Sequence, residues 1–355
     1  MVTPASLTGD ELLAIPLDRP ERLFTRSGLR SEYRALAKRW HPDVAGAEGE
    51  TVFAHVTALY ERAEQRLAEG IWDGPGRLEL IATDGIRYRF RYRSRRAFEL
   101  GQILIADSVV AYLVDLPQRD LFDRAVSAIS GFRFADTSMR SEMGPCLPEI
   151  AARFETDDSE GGAARLVLVI RKAADLLPLS DTLAHFGGKL PPRHVAWIMS
   201  SLFNLACWLE WAGLSHNAID ADAVFLSPRR HQCALLGGWW YSAMAASKLK
   251  ALPGRSAAAI PESVLRAGRA DPRIDGTLLR LLGRDLLGSA IGSRLAADRS
   301  IPAPLVAWLR LAADGDAVAD YSAWREVLKA SFGPRRFVPL RLTIDDLYPA
   351  ASAAC

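Results

Sequence analysis

A basic, helix-like segment that ends in His41-Pro42-Asp43 constrains the fold of this chain more than any other stretch of its sequence. Apolar residues recur every three or four positions through residues 29–40, which is the spacing of an amphipathic helix. Pro42 cannot continue that helix, because proline lacks a backbone N–H and its ring clashes with the preceding turn. We therefore expect His41 and Asp43 to lie in an exposed turn. The basic residues of the segment fall mostly on the faces away from the apolar stripe: Arg30, Arg34, Lys38 and Arg39.

A second amphipathic helix is predicted to begin near Glu50, after a glycine-rich loop at residues 44–49. Two such helices joined by a short connection are expected to pack against each other as an antiparallel hairpin. The apolar stripe of the second helix is formed by Phe53, Val56, Leu59, Tyr60, Ala63 and Leu67.

This hairpin resembles the J-domain of the DnaJ (Hsp40) co-chaperones, in which a basic helix and His-Pro-Asp precede a helix that carries Phe and Tyr. The resemblance covers residues 20–68, and residues 17–24 depart from the family's first helix, so that helix is expected to be short or irregular. The resemblance implies that His41-Pro42-Asp43 and the four basic residues contact an Hsp70 (DnaK) partner. The alternatives are a structural turn and an ordinary solvated helix face.

The composition is that of a globular protein with more than one domain. The chain has 355 residues, of which 49% are hydrophobic, and its net charge of +2 argues against a binder of polyanions over the whole surface. No secretory signal pattern is present, and the most apolar segment, residues 195–214, carries polar residues that favour a buried helix over a membrane span. A reduced, cytoplasmic protein without a metal site is expected, because no metal-ligand spacing relates the cysteines Cys146, Cys207, Cys233 and Cys355.

Turn signals and hydrophobic patterns predict the domain limits. Asp73-Gly74-Pro75-Gly76 is a strong turn or linker signal. It is followed by two alternating segments, residues 78–82 and 86–92, which predict a β-hairpin. The predicted organisation is a J-like domain at 1–72, a linker at 73–76, a second domain at 77–340 and a C-terminal tail at 341–355.

The second strand of that hairpin alternates basic and aromatic residues, a pattern that can bind single-stranded nucleic acid. A half-buried strand with its aromatic rings inward and its guanidinium groups in solvent explains the same pattern, and we favour it. Nucleic acid is therefore not a predicted partner. The alternating residues are Arg87, Tyr88, Arg89, Phe90, Arg91 and Tyr92.

The remaining pattern predicts an α+β fold, in which a small β-rich lobe (77–172) precedes a large helical lobe (173–340). Further strands are predicted at residues 97–106, 109–114 and 166–170. Helices are predicted at residues 120–129, 179–185, 192–212, 271–287, 304–311 and 320–332.

The order of elements after residue 192 resembles the catalytic segment of the protein kinases. A long helix precedes residues 215–226, which stand where kinases have the HRD-x-K-x-x-N loop. A short hairpin follows, and then Gly237-Gly238-Trp239 at the place of Asp-Phe-Gly. Ile260-Pro261-Glu262 stands at the place of Ala-Pro-Glu, and Asp275 at the place of an aspartate that opens a later helix. The alternative is an unrelated α+β domain.

Placed residue by residue, this resemblance implies a domain that has lost its catalytic groups. His216 keeps the family histidine, but Ala218 stands at the position of the catalytic base, Asp220 at that of the lysine and Ala223 at that of the metal-binding asparagine. Gly237 replaces the metal-binding aspartate. Phosphoryl transfer needs held metal ions and a positioned base, and neither a methyl group nor a glycine coordinates Mg²⁺.

In the small lobe, the resemblance also implies that the phosphate-binding groups are lost. Gly101 is one glycine where a kinase phosphate loop has three, and Tyr112 stands at the position of the phosphate-binding lysine. Ala125 or a neighbour falls at the position of the partner glutamate. Without the Lys–Glu pair nothing holds the α/β-phosphates. His216 has no Ser, Cys or Asp arranged with it, so we expect it to anchor a loop.

The sequence thus predicts a J-domain co-chaperone that performs no bond chemistry itself. The first domain is expected to recruit an Hsp70 (DnaK) and stimulate its ATPase, and the pseudokinase-like domain to bind a client protein or anchor the complex. No catalytic residue, cofactor, metal or membrane partner is predicted. One alternative is an adaptor that binds a regulatory nucleotide, and a less favoured one is a divergent active kinase.

Overall fold

The computed structural model describes residues 7–15, 17, 20–25, 28–68, 76–156 and 164–348, so the predicted linker residues 73–75 lie outside the described part. The chain divides into two units, Met1–Gly76 and Arg77–Cys355. Each unit has an apolar core of its own.

The first unit is helical. It contains α1 (Gly9–Leu13), α2 (Leu29–Trp40) and α3 (Pro42–Ala68). The rings of Tyr33 and Tyr60 stack at 4.0 Å between α2 and α3, while His41 at the end of α2 meets Phe53 at 5.4 Å, so the two helices run antiparallel as predicted. Their shared core is formed by Leu29, Leu36, Val52, Val56, Leu59 and Ala63.

The loop predicted at residues 44–49 is reduced to a kink, because the chain is helical from Pro42 and two helices meet at Gly46 within α3. Proline is favoured in the first turn of a helix, where its missing N–H would have had no partner. The helix is interrupted only at Gly46, whose φ of 65° and ψ of −153° are non-helical. Glycine tolerates this conformation because it has no Cβ.

A six-stranded antiparallel sheet opens the second unit, in the order β1-β2-β3-β4-β6-β5. The predicted strand at 97–106 is wrong, since the chain reverses at Glu99 and Leu100 between β2 and β3. The strand β5 was not predicted. The strands are β1 (Gly76–Ile81), β2 (Arg87–Phe98), β3 (Gly101–Ala106), β4 (Val109–Asp115), β5 (Glu149–Glu155) and β6 (Arg165–Arg171).

The sheet curls until its two edges meet. Ala82, just after β1, forms an antiparallel bridge with Thr156, just after β5. The rings of Tyr88 on β2 and Phe154 on β5 stack at 3.9 Å, although these strands are not neighbours in the sheet. Apolar side chains fill the inside of the curl, including Phe90. The half-buried strand predicted for residues 86–92 is confirmed, with its aromatic side chains turned inward and its arginines exposed.

Helices cover the other face of the sheet and continue its core. One apolar cluster extends from β4 and β6 into the helices that follow, so the core does not divide at residues 172–173. The helices are α4 (Arg119–Ser130), α5 (Thr137–Met143), α6 (Leu179–His185), α7 (Pro192–Ala212), α8 (Gly254–Ala259), α9 (Glu262–Ala267), α10 (Pro272–Leu286), α11 (Gly292–Ala297), α12 (Ala303–Leu309), α13 (Ala317–Phe332) and α14 (Ile344–Leu347).

Short strands connect these helices. Three of them form a second sheet in the order β10-β9-β7, and the other two form a β11-β8 ladder. The mixture of an antiparallel sheet and packed helices agrees with the predicted α+β class. The short strands are β7 (Leu177–Pro178), β8 (Leu214–Ser215), β9 (Val224–Ser227), β10 (Gln232–Leu235) and β11 (Ala243–Met244).

The described part of the predicted C-terminal tail is folded onto the second unit. Leu342 is buried, and α14 follows it with a capping box between Thr343 and Asp346. The hydroxyl of Tyr348 donates a hydrogen bond to the carboxylate of Asp181 on α6. The segment is therefore an integral part of the core and not a tail.

Candidate functional site

Three of the predicted basic residues form one exposed line on α2. Arg30, Arg34 and Lys38 are spaced four residues apart, which places them on one face of a helix, and all three are exposed. The opposite face of α2 contributes Leu29 and Leu36 to the core. We call Arg30, Arg34 and Lys38 the α2 basic face.

Arg39 does not belong to this face. Its Nη1 donates a hydrogen bond of 3.0 Å to the carbonyl of Leu7, and its guanidinium lies 5.0 Å from the ring of Trp40. Arg39 therefore ties the segment before α1 to the end of α2.

The His41-Pro42-Asp43 sequence forms the tight junction between α2 and α3. His41 is exposed and extended (φ −57°, ψ 136°), and its carbonyl accepts hydrogen bonds from the backbone N–H groups of Val44 (2.8 Å) and Ala45 (3.0 Å). Pro42 is half-buried, and Asp43 lies in the first turn of α3. The expected turn is thus a helix-to-helix corner, in which His41 alone has a non-helical backbone.

In the second unit, the loop predicted to correspond to the kinase catalytic loop follows α7, which ends at Gly213 in a left-handed conformation (φ 67°). The carboxylate of Asp275 on α10 binds the start of this loop. Its carboxylate accepts hydrogen bonds of 2.7 Å from the backbone N–H groups of both His216 and Asn217, and one of 3.3 Å from the hydroxyl of Ser215. Burial raises the pKa of Asp275 to about 6 despite these three donors.

His216 is fully buried in this loop. Its Nε2 lies 2.9 Å from the carbonyl oxygen of Gly237, and its Nδ1 accepts a 3.3 Å hydrogen bond from the backbone N–H of Ala218. Burial lowers the pKa of His216 to about 3, although the Gly237 carbonyl favours the protonated ring. The ring is therefore neutral at physiological pH, with its proton on Nε2, and it cross-links the loop to the strand end after β10.

Tyr112 fills the space in front of Gly237. The Tyr112 hydroxyl lies 2.9 Å from the point that a Cβ on Gly237 would occupy. Its ring packs edge-on against Phe98 and Trp240, and burial raises the pKa of the phenol. Within the described residues this buried hydroxyl has no hydrogen-bond partner.

The other positions that the kinase resemblance singled out hold the loop together. Ala218 and Ala223 are buried. Asp220 accepts hydrogen bonds of 2.9 Å from the backbone N–H groups of Asp222 and Ala223, and burial raises its pKa. Asp220 therefore shapes the turn that leads into β9.

The remaining positions that the kinase resemblance singled out are Gly101, Glu262 and Asp275, and they lie in different parts of the second unit. Glu262 lies at the surface and pairs at 2.6 Å with Arg266 on its own helix. Asp275 lies in the first turn of α10, as expected, and Asp271 provides the N-cap. Gly101 has a φ of 150°, and a Cβ there would lie 2.1 Å from the Leu113 carbonyl oxygen on β4. This close approach of two strands explains the glycine.

Sequence reasoning missed a polar cluster beside the same loop. The guanidinium of Arg96 on β2 hydrogen-bonds to Asp181 and to the hydroxyl of Ser180, and lies 3.6 Å from Asp222. The hydroxyl of Tyr348 also donates a hydrogen bond to the Asp181 carboxylate. These residues come from distant parts of the chain and share no motif, so no sequence pattern could have grouped them.

The chain matches no known protein family and no curated protein at the sequence level. No group of three or more metal-ligating side chains occurs among the described residues. None of the described helices has both the length and the apolar character needed to cross a lipid bilayer.

Proposed function

We propose that this chain is a J-domain-type co-chaperone, whose first unit recruits an Hsp70 and stimulates its ATPase. The proposal rests chiefly on the α2 basic face, which leads directly to the exposed His41 at the corner before α3. The antiparallel packing of α2 on α3 supports it, because the shared core of the two helices holds the α2 basic face next to the corner.

The α2 basic face is suited to an acidic partner surface. Exposed charges add little to the stability of their own fold, but complementary charges speed association and orient two proteins. Such forces are screened over about 10 Å at 0.1 M salt, so the docking step is expected to depend on ionic strength.

The second unit serves in this proposal as a kinase-like module without phosphoryl transfer, which binds a client protein or anchors the complex. The contacts between the His216 loop and Asp275 support the kinase-like arrangement, since they join two elements that the sequence placed in that order. Tyr112 against Gly237 supports the loss of activity, because a buried phenol occupies space that a phosphate and its metal ion would need.

The test is single-turnover ATP hydrolysis by DnaK with the full-length chain. We expect His41→Gln to abolish stimulation without changing the helical circular dichroism, since His41 is exposed. We expect the double variant Arg34→Glu/Lys38→Glu to weaken stimulation most at low salt.

A matched control is available on α13, where Arg325 and Lys329 are also exposed and also four residues apart. The variant Arg325→Glu/Lys329→Glu makes the same charge change away from the proposed docking face and should stimulate DnaK as the wild type does. Full stimulation by the His41→Gln protein, or equal losses in the two double variants, would refute the proposal.

A further inference from the structure

Three aromatic rings form a continuous stack on the surface of the second unit. Trp197 on α7 lies parallel to His231, in the turn between β9 and β10, at 4.6 Å and 6°. His231 lies parallel to Phe337, in the segment after α13, at 4.1 Å and 15°. Phe337 is 67% exposed, and among the described residues no other ring or guanidinium stacks on its outer face. The stack therefore ends in an aromatic face open to solvent.

The position of this outer ring is fixed by the rings beneath it. Single exposed apolar residues are common and carry little information. Here, however, His231 adopts a left-handed backbone conformation with a φ of 49°, which is unfavourable for a residue other than glycine. That conformation carries the imidazole between Trp197 and Phe337, so Phe337 rests on a supported platform.

Exposed arginines are close in the sequence to all three residues of this platform. Arg335 and Arg336 are exposed and directly precede Phe337, and the exposed Arg229 is two residues before His231. Arg193 lies four residues before Trp197 on α7, hence on the same face, with its guanidinium 5.0 Å from the ring of Phe332. The neighbouring Arg230 is engaged by Asp175. The edge of the platform is therefore positively charged.

We propose that this platform binds single-stranded nucleic acid, with a base stacked on Phe337 and the adjoining phosphates held by the arginines. Bases stack on exposed aromatic side chains irrespective of sequence, and the planar guanidinium matches the geometry of a phosphate. An anionic lipid surface would use the charges but has no aromatic group to stack on the ring, whereas every nucleotide of a single strand brings a phosphate together with a base. The exposed arginines of β2 offer no such combination, because Phe90 and Tyr92 beside them are buried.

The test is fluorescence anisotropy of the full-length chain with a labelled dT12 strand, and with an abasic strand of the same length. We expect dT12 to bind about tenfold more tightly than the abasic strand, because only dT12 can stack. Phe337→Ala should remove this difference, and Phe337→Trp should retain it. Both variants should keep the circular dichroism spectrum of the folded wild type, because Phe337 lies at the surface and contributes nothing to the buried core.

The arginines are tested through the salt dependence of binding. The slope of log K against log salt is negative, and each lost phosphate contact reduces its magnitude by about 0.7 for a single strand. Arg335→Ala/Arg336→Ala should therefore make the slope shallower by about 1.4. The matched control Arg87→Ala/Arg89→Ala removes two exposed arginines from β2 and should leave the slope unchanged. Equal affinity for the abasic strand, undiminished binding by Phe337→Ala, or an equal effect of the control pair would overturn the proposal.

Discussion

His216 is held as a neutral ring by its surroundings. One nitrogen faces a carbonyl oxygen and the other accepts a backbone N–H, so a second ring proton would point at a donor. Because the ring is also buried, its pKa of about 3 lies well below the ordinary histidine value of 6.5. A folded-state pKa below the unfolded one means that the stabilising contribution is complete above pH 6.5 and is lost as the pH falls.

We therefore expect the advantage of the wild type over His216→Gln in free energy of unfolding to shrink by about 2 kcal/mol between pH 6.5 and pH 5. Asp275, whose pKa is raised, gives the opposite trend in this range, but it is present in both proteins and cancels in the difference. Urea denaturation at several pH values measures this difference. A constant difference across the range would contradict the assignment of a neutral ring.

Sequence reasoning could identify the His216 loop but not its partners. The histidine could be predicted as a loop anchor, because no nucleophile or acid accompanies it in the sequence. The acceptor at Gly237 and the donors to Asp275 are set by tertiary packing between segments far apart in the chain, and no local pattern carries that information. The same holds for Arg96 and Asp181.

At the scale of elements, Gly101 controls how β3 lies beside β4. Its φ of 150° is accessible mainly to glycine, and the Leu113 carbonyl stands where a Cβ would be. From the sequence alone, Gly101 was compared with a glycine of a phosphate-binding loop. In the structure, the backbone conformation and the close Leu113 carbonyl explain why this residue is a glycine.

We expect Gly101→Ala to destabilise the second unit by at least about 3 kcal/mol, the sum of backbone strain and overpacking. Gly85→Ala is the matched control, since Gly85 also has a positive φ (83°) but open space around its Cα. It should cost only about 1–2 kcal/mol. Chemical denaturation measures both, and equal losses would show that the close contact with Leu113 does not matter.

The elements themselves were predicted unevenly. The bounds of α7 could be predicted because proline opens it and glycine closes it, two strong local signals. The reversal at Glu99 and Leu100 has neither proline, asparagine nor aspartate, so the end of β2 and the whole of β3 were predicted as one strand at residues 97–106. Residues 44–49 contain two glycines, which suggested a loop, but alanine and glutamate among them support the helix that forms.

At the scale of the whole molecule, the two units have separate apolar cores. Val56 lies in the first core with 1% of its surface exposed, and Val224 lies in the second with 0%. The two valines offer the same substitution in two different cores.

We expect the full-length chain to melt in two transitions. Val56→Ala should cost about 2 kcal/mol and lower only the transition of the first unit, by roughly 8–16 °C, because a small domain unfolds with little entropy. Val224→Ala should lower only the other transition, by a few degrees, because the second unit is larger. Scanning calorimetry of the wild type and both variants measures the two melting temperatures. A single transition, lowered in temperature by both substitutions, would contradict two independent cores.

The curl of the six-stranded sheet has a consequence for the order in which the second unit folds. The bridge between Ala82 and Thr156 joins segments that are far apart in the chain, and such contacts form slowly because a long loop must first be closed. Until they form, the edges of β1 and β5 expose unpaired backbone groups that can recruit other chains. Any chain in which β1 and β5 have not yet met therefore exposes two strand edges of the kind through which incompletely folded proteins aggregate.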